Sequence, residues 1–207
     1  AGYLLYENLV PGRFSARVEK WGHAPASVVT NLPSGAHGGT KIHLIPLPPP
    51  IAFHAGAGAA LDQGPVHVTI PSNAIVDANG EAYTGTAQAT IVPLDPATNL
   101  ANSPGPLEGL NTNGTAVGLT SLFMTEITLW NGAQRLQLAP GKTATIELVL
   151  PDSTAMNVQM GESIPAWYFD LDAGIWREEG AGLVQASVAE PGKTAWVANV
   201  GHFSWWN

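Results

Sequence analysis

The chain has 207 residues, enough for one large β domain or two unequal ones, with 45% apolar and only 12% charged residues. Eight Lys/Arg against sixteen Asp/Glu give a net charge of −8, and no cluster of basic residues offers an electrostatic footprint for nucleic acid. Cysteine is absent, which excludes disulfides, thiolate metal sites and thiol nucleophiles.

Glycine and proline are abundant, 23 and 17 residues, but aperiodic and interrupted by well-formed apolar runs, so the composition is that of a turn-rich folded chain. The opening stretch AGYLLYENLV lacks a basic n-region, and no apolar run approaches the ~18 residues that cross a bilayer, so membrane insertion is not expected. A signal removed, or a chain cut from something longer, fits that start. Low charge with many Thr, Ser, Gly and Pro is common in exported bacterial proteins, giving the expectation of a secreted or cell-surface location.

In chain order, RFSARVEKWG alternates Phe14, Ala16 and Val18 against Arg13, Ser15, Arg17 and Glu19, the period-2 pattern of a strand with one wet face. NLPSGAHGGT, with His37, is a loop, and KIHLIPL alternates again as a strand. Prolines 48–50 favour an extended polyproline conformation and suggest a stiff connector over residues 48–63. GPVHVTIPSNAI then places Val66, Val68 and Ile70 on one face, and Asn79-Gly80 marks a turn. AQATIVPL is a strand, and residues 95–118 are a long loop. LFMTEITLWNGAQRLQLAPGKTATIELVLP gives three strands, with turns at Asn131-Gly132 and Pro140-Gly141. A hairpin follows around Asp172-Ala173-Gly174, and KTAWVANVGHFSWW closes the chain as a strand. No helical periodicity of three turns occurs, so the fold class is all-β: an antiparallel β-sandwich of eight or nine strands, with a smaller partial β-sandwich at the N-terminus.

Residues 11–47, with the turn Trp21-Gly22-His23, resemble the closing half of a carboxypeptidase regulatory-like, transthyretin-type sandwich. The opening strands of such a domain are not visible, which suggests that the chain begins inside a longer protein. Residues 64–207 are similar to the zona-occludens/uncoordinated-type β-sandwich of ankyrins, netrin receptors and inflammasome-type death-domain proteins. The pieces that carry this are VTIPSNAIVDANGEAYTG, ATIVPLDP, LQLAPGKTATIELVLP, IPAWYFDLDAGIWREEG and VGHFSWWN. The hairpin Trp167-Tyr168-Phe169-Asp170 to Gly174-Ile175-Trp176 also resembles one in bacterial secreted multi-domain proteins and cartilage intermediate layer proteins. These resemblances imply the division 1–47, 48–63 and 64–207.

In several relatives of this fold His-Phe-Ser is cut between Phe and Ser, which here implies a scissile bond between Phe203 and Ser204. The chemistry is an N→O acyl shift: the Ser204 hydroxyl lies one residue from the preceding carbonyl, and His202 is a nearby base. A distal base or supporting acid is also needed, with Glu178, Glu179 and His67 as candidates. The alternative is packing alone, with His202 and Ser204 on one face of a closing strand and Phe203 and Trp205 on the other. The six histidines, at 23, 37, 43, 54, 67 and 202, lack metal-ligand spacing, and no cofactor is expected. Asp170-x-Asp172 with Gly174 suits an Asx-stabilised hairpin better than a calcium loop. Asn113-Gly114-Thr115 is formally a glycosylation acceptor.

Of seven tryptophans, Trp130, Trp167, Trp176, Trp196 and Trp205 fall at strands, as core residues do, while Trp206 faces the opposite side from Trp205 and suits contact with a following domain. The leading expectation is a structural or interaction module of an exported multi-domain protein, adhesin-like or, by analogy with domain neighbourhoods, Rhs-type or YD-repeat. Its partners would be neighbouring domains of the same polypeptide. An intramolecular autoprotease using Ser204 is the second reading, and a carbohydrate-binding module, needing several exposed coplanar indoles, the third.

Overall fold

Residues 7–35, 39 and 41–207 are described in a computed structural model of the chain. His37, with part of its loop, and the first six residues of the opening stretch lie outside the described residues.

Two antiparallel strands, β1 (Gly12–Val18) and β2 (Ala26–Leu32), form a small separate sheet, in register from Gly12↔Leu32 to Val18↔Ala26. KIHLIPL does not add a third strand. It runs extended beside the β1–β2 turn, with a single bridge between His23 and Pro46. Ala24 N–H donates to the Ile45 carbonyl at 2.8 Å and Leu47 N–H to Gly22 at 2.9 Å, but Pro46, Pro48, Pro49 and Pro50 have no N–H with which to continue a ladder.

Regular structure resumes directly after Pro50. β3 (Ile51–His54) and β4 (Ala59–Gln63) occupy most of the stretch expected as connector, and both belong to the large sheet. Then follow β5 (Val66–Ile70), β6 (Ile75–Val76), β7 (Thr86–Leu94), α1 (Pro96–Asn99) and a 3-10 turn (Leu100–Asn102). The expected long loop also holds β8 (Glu108–Leu110) and β9 (Ala116–Gly118), a small hairpin whose first strand pairs in parallel with a later one. Three-residue strands are too short for alternation to register. β10 (Met124–Trp130), β11 (Arg135–Leu138), β12 (Ala144–Val149), α2 (Asp152–Ala155), β13 (Ser163–Asp170), β14 (Ile175–Ala186), β15 (Thr194–Val200) and β16 (Trp205–Trp206) complete the chain.

The fold is all-β and mostly antiparallel. The large sheet runs β3-β7-β10-β16-β13-β14-β15-β12-β5-β4, with β11, β6, β8 and β9 attached to its sides. Its two end strands, β3 and β4, are consecutive in sequence and come together, so the sheet curls until it nearly closes. The curl encloses one core, built from inward residues such as Val66, Val68, Ile70, Ile91, Ile127, Leu129, Ile146, Leu148 and Trp196. Packing there is close: a Cβ on Gly182 would sit 2.3 Å from Cε2 of Trp196, so the indole lies flush on the β14 backbone.

A second core lies on the outside of the curl, beneath the β1–β2 connection and residues 45–47. It contains Ala24, Val92, Leu94, Met124, Phe169, Trp176 and Trp205, with Ile45 and Leu47 against it. β7, β10, β13 and β16 therefore contribute side chains to both cores. Trp205 and Trp206 do point oppositely, as adjacent strand residues must. Yet Trp206 is fully buried in the inner core rather than turned toward a following domain, because the curl covers that face; Trp205 faces the N-terminal layer.

Candidate functional site

Among the described residues two places bear most on function: the His202-Phe203-Ser204 run, and the contact between the small sheet and the β13–β14 turn.

β15 ends at Val200, and residues 201–204 form a bend rather than continuing as a strand. β16 then wedges between β10 and β13, pairing Thr125↔Trp206 and Tyr168↔Trp206. The expected continuous closing strand is thus interrupted at the tripeptide. Phe203 is buried in the inner core and its backbone is held by one side chain: Gln137 Nε2 donates to the Phe203 carbonyl, and Phe203 N–H donates to Gln137 Oε1, both at 2.8 Å. Gln137 fills the place of a ladder partner where β11 and β16 diverge from β10. The Ser204 carbonyl accepts from Ile127 N–H at 3.1 Å.

The Ser204 hydroxyl donates to the Phe169 carbonyl at 3.3 Å. His202 faces elsewhere: its Nε2 lies 3.3 Å from Glu179 Oε2, and its ring is edge-on to Tyr168 at 4.7 Å and tilted against Trp206 at 5.0 Å. Among the three candidate supporting groups, only Glu179 is brought to His202. Glu178, on the other face of β14, accepts from Thr112 N–H at 3.1 Å, and His67 engages Asp62 at 2.7 Å and Glu190 at 3.5 Å. Gln137 was not visible in the sequence; its backbone partner is 66 positions away, with no local signal.

The second place is built on the turn after β13. Asp170 Oδ1 accepts from Asp172 N–H at 3.2 Å and Ala173 N–H at 2.9 Å, and Oδ2 takes Arg177 Nε at 2.8 Å. Burial works to raise the Asp170 carboxyl, but these N–H donors and the Arg177 guanidinium outweigh it and hold the group below the usual carboxylate range. Its oxygens are thus engaged in an Asx-type turn. The turn's four carbonyls, from 171 to 174, are each capped by a side chain of the small sheet. Ser27 Oγ donates to Leu171, Ser15 Oγ to Asp172 at 3.0 Å, and the two Arg13 Nη atoms to Ala173 and Gly174, each at 2.7 Å. Gly174 has φ of +63°, and a Cβ there would come within 2.6 Å of Val29, so turn geometry and close approach both require glycine. Trp205 Nε1 donates to the Pro25 carbonyl at 2.8 Å, tying the outer core to the same layer.

A third buried group is Glu126, on the outer face of β10. It is 1% exposed; Oε1 accepts from Thr128 and lies 3.8 Å from Arg135, while buried Oε2 has no partner. Burial pushes its carboxyl up to about 7, against the lowering effects of Thr128 and Arg135. Among the described residues no three His, Asp or Glu side chains converge as metal ligands. The indoles do not form a stacking platform: Trp176, Trp196, Trp205 and Trp206 are buried, Trp130 and Trp167 half-buried, and only Trp21 is exposed.

No protein-family model matches the chain, and no solved structure does. It is similar to cartilage intermediate layer protein 1 of Mus musculus, 31% identical over 129 residues, 59% of this chain and 10% of that protein. Cartilage intermediate layer protein 2 of Homo sapiens is 25% identical over 129 residues, 59% of this chain and 11% of that protein. Cartilage intermediate layer protein 1 of Sus scrofa is 32% identical over 116 residues, 54% of this chain and 18% of that protein. The chain thus matches a small part of much longer proteins.

Proposed function

We propose that the chain is a structural and interaction module of an exported multi-domain protein, in which the N-terminal layer and the curled sheet are locked in one fixed relation so that domains joined to them are held likewise. The observation that carries this is the capping of four successive carbonyls, 171–174, by Arg13, Ser15 and Ser27, above a shared apolar core. A mobile linker contact would not satisfy consecutive backbone acceptors in this way. The similarity to short stretches of long proteins named for a layer of cartilage supports a β module outside the cell. The transthyretin-like and zona-occludens/uncoordinated-type assignments, and neighbouring domains as partners, belong to the same proposal. Hydrogen exchange on the full chain tests it. Arg13→Ala with Ser15→Ala should lower amide protection in β1 and β2 while leaving β12 and β15 unchanged; unaltered protection of the small sheet would contradict the lock.

One observation favours a second reading, self-cleavage between Phe203 and Ser204. The Gln137 amide donates to the very carbonyl that the Ser204 hydroxyl would attack. In that step the Oγ–C bond forms, the C–N bond breaks, and the hydroxyl proton passes to the freed Ser204 amine; water then hydrolyses the ester. The Ser204 bond to Phe169 and the Glu179 pairing of His202 would both have to loosen first. Intact mass under denaturing conditions decides: one uncut species rules the reading out, whereas two fragments that Ser204→Ala abolishes would establish it.

A further inference from the structure

Trp21 stands apart from the other tryptophans. It sits at the tip of the β1–β2 hairpin and is 97% exposed. The tip itself is braced: His23 Nδ1 lies 3.0 Å from the Trp21 carbonyl, and Leu47 N–H donates to Gly22. An exposed indole on a fixed backbone loses little freedom when it docks, which is the economy that makes such residues anchors of interfaces.

The same chain carries a matching socket. An open cleft of about 310 Å³ lies between α1 with its 3-10 turn and the segment 119–122 that leads into β10. Leu100, Leu107, Leu119 and Leu122 wall it, and Asp95 and Thr154 lie at its polar rim. Leu100, although apolar, is 49% exposed. Leucine walls beside a polar rim suit an indole, a flat apolar body whose single N–H can stay at the wet mouth.

We propose that Trp21 of one copy of the chain inserts into this cleft of a second copy. Charge supports the second copy as occupant. Residues 1–47 carry four Lys/Arg and two Glu, net +2, so the remainder carries −10 of the total −8. Lys20 flanks the indole and Asp95 flanks the cleft, so basic knob meets acidic socket. The contact uses neither the 171–174 turn nor residues 202–204, so its failure leaves the preceding reading standing, and the reverse.

Sedimentation velocity of the full chain, from micromolar to millimolar concentration, tests it. Wild type self-associates, more weakly as salt rises from 50 to 500 mM, on the scale of ionic screening. Trp21→Ala and Leu100→Asp each weaken association about tenfold or more, the first with the melting temperature unchanged, since Trp21 is 97% exposed. A one-to-one mixture of the two variants forms a heterodimer, because the first supplies an intact cleft and the second an intact indole. If Leu100→Asp perturbs folding, Lys20→Glu serves instead and should weaken association at low salt only. The proposal is overturned by wild type that stays monomeric at millimolar concentration, by Trp21→Ala associating as wild type does, or by a mixture that fails to pair.

Discussion

Glu126 makes the stability of this protein depend on pH in the direction opposite to most carboxylates. Two influences compete at the group. Arg135 is one guanidinium at 3.8 Å, with 36% of its side chain exposed and its face 5.8 Å from the Trp130 ring, whereas Glu126 is 1% exposed with Oε2 unpartnered. Desolvation wins, and the carboxyl is pushed from 4.5 up to about 7. The folded state then binds a proton that the unfolded state has released between about pH 4.5 and 7, so stability contributed here is full below pH 4.5 and is lost as pH rises through 7. A shift of that size corresponds to about 3 kcal/mol, roughly 6 to 12 °C in melting temperature for a chain of this length. Glu126→Gln keeps the shape and removes the ionisation. Urea unfolding of variant and wild type from pH 4 to 9 isolates the group, because other carboxylates cancel in the difference. The variant should match wild type near pH 4.5 and exceed it by about 3 kcal/mol at pH 8. A difference that does not vary with pH, or a wild type more stable than the variant at pH 8, would refute the argument and mean that Arg135 holds the ionised form.

Other expectations rest on single contacts. Gly182→Ala drives a methyl into the Trp196 indole and should cost about 2 to 4 kcal/mol in equilibrium unfolding. Gln137→Ala leaves the Phe203 N–H and carbonyl unpaired at the edge of the inner core, a loss of about 1 to 3 kcal/mol; Gln137→Leu should be no better, since the deficit is hydrogen bonding and not volume. Gly174→Ala meets Val29 and a left-handed φ together, and should lower exchange protection of β1 and β2 as Arg13→Ala does.

The strands legible in the sequence are those with one wet and one dry face. Val66, Val68 and Ile70 all point into the inner core, and the turns at residues 79–80, 131–132, 140–141 and 172–174 fall where Gly, Asn, Asp and Pro place them. Alternation failed where its premise failed. The polar face of β1, with Arg13, Ser15 and Arg17, has the pattern of a wet face, yet it grips the 171–174 turn, because period-2 contrast distinguishes the two faces without saying what covers the polar one. KIHLIPL alternates correctly, but prolines took away its donors. His202, Phe203 and Ser204 rest on resemblance; of the three supporting groups named with them only Glu179 meets His202, and nothing local reveals that Gln137 would meet Phe203.

The paired tryptophans also decide how the Phe203–Ser204 question must be asked. Both faces of β16 are buried, so its two indoles each remove roughly 200 Å² from water, about 5 kcal/mol apiece by area and an upper bound at that. The ladder to β10 and the bond from Trp205 to Pro25 add to this hold. A peptide cut before Ser204 would therefore stay in place, and native size would not betray it. Only a denatured mass separates an intact strand from a severed one. The same anchoring bears on mechanism: two seated indoles fix the Ser204 side of the bond against the Phe203 carbonyl that Gln137 holds, so Trp206→Ala should lower any cleavage even though the residue is buried away from the reacting hydroxyl. Cleavage undiminished by that substitution would refute a role for the seating of β16 in positioning the bond.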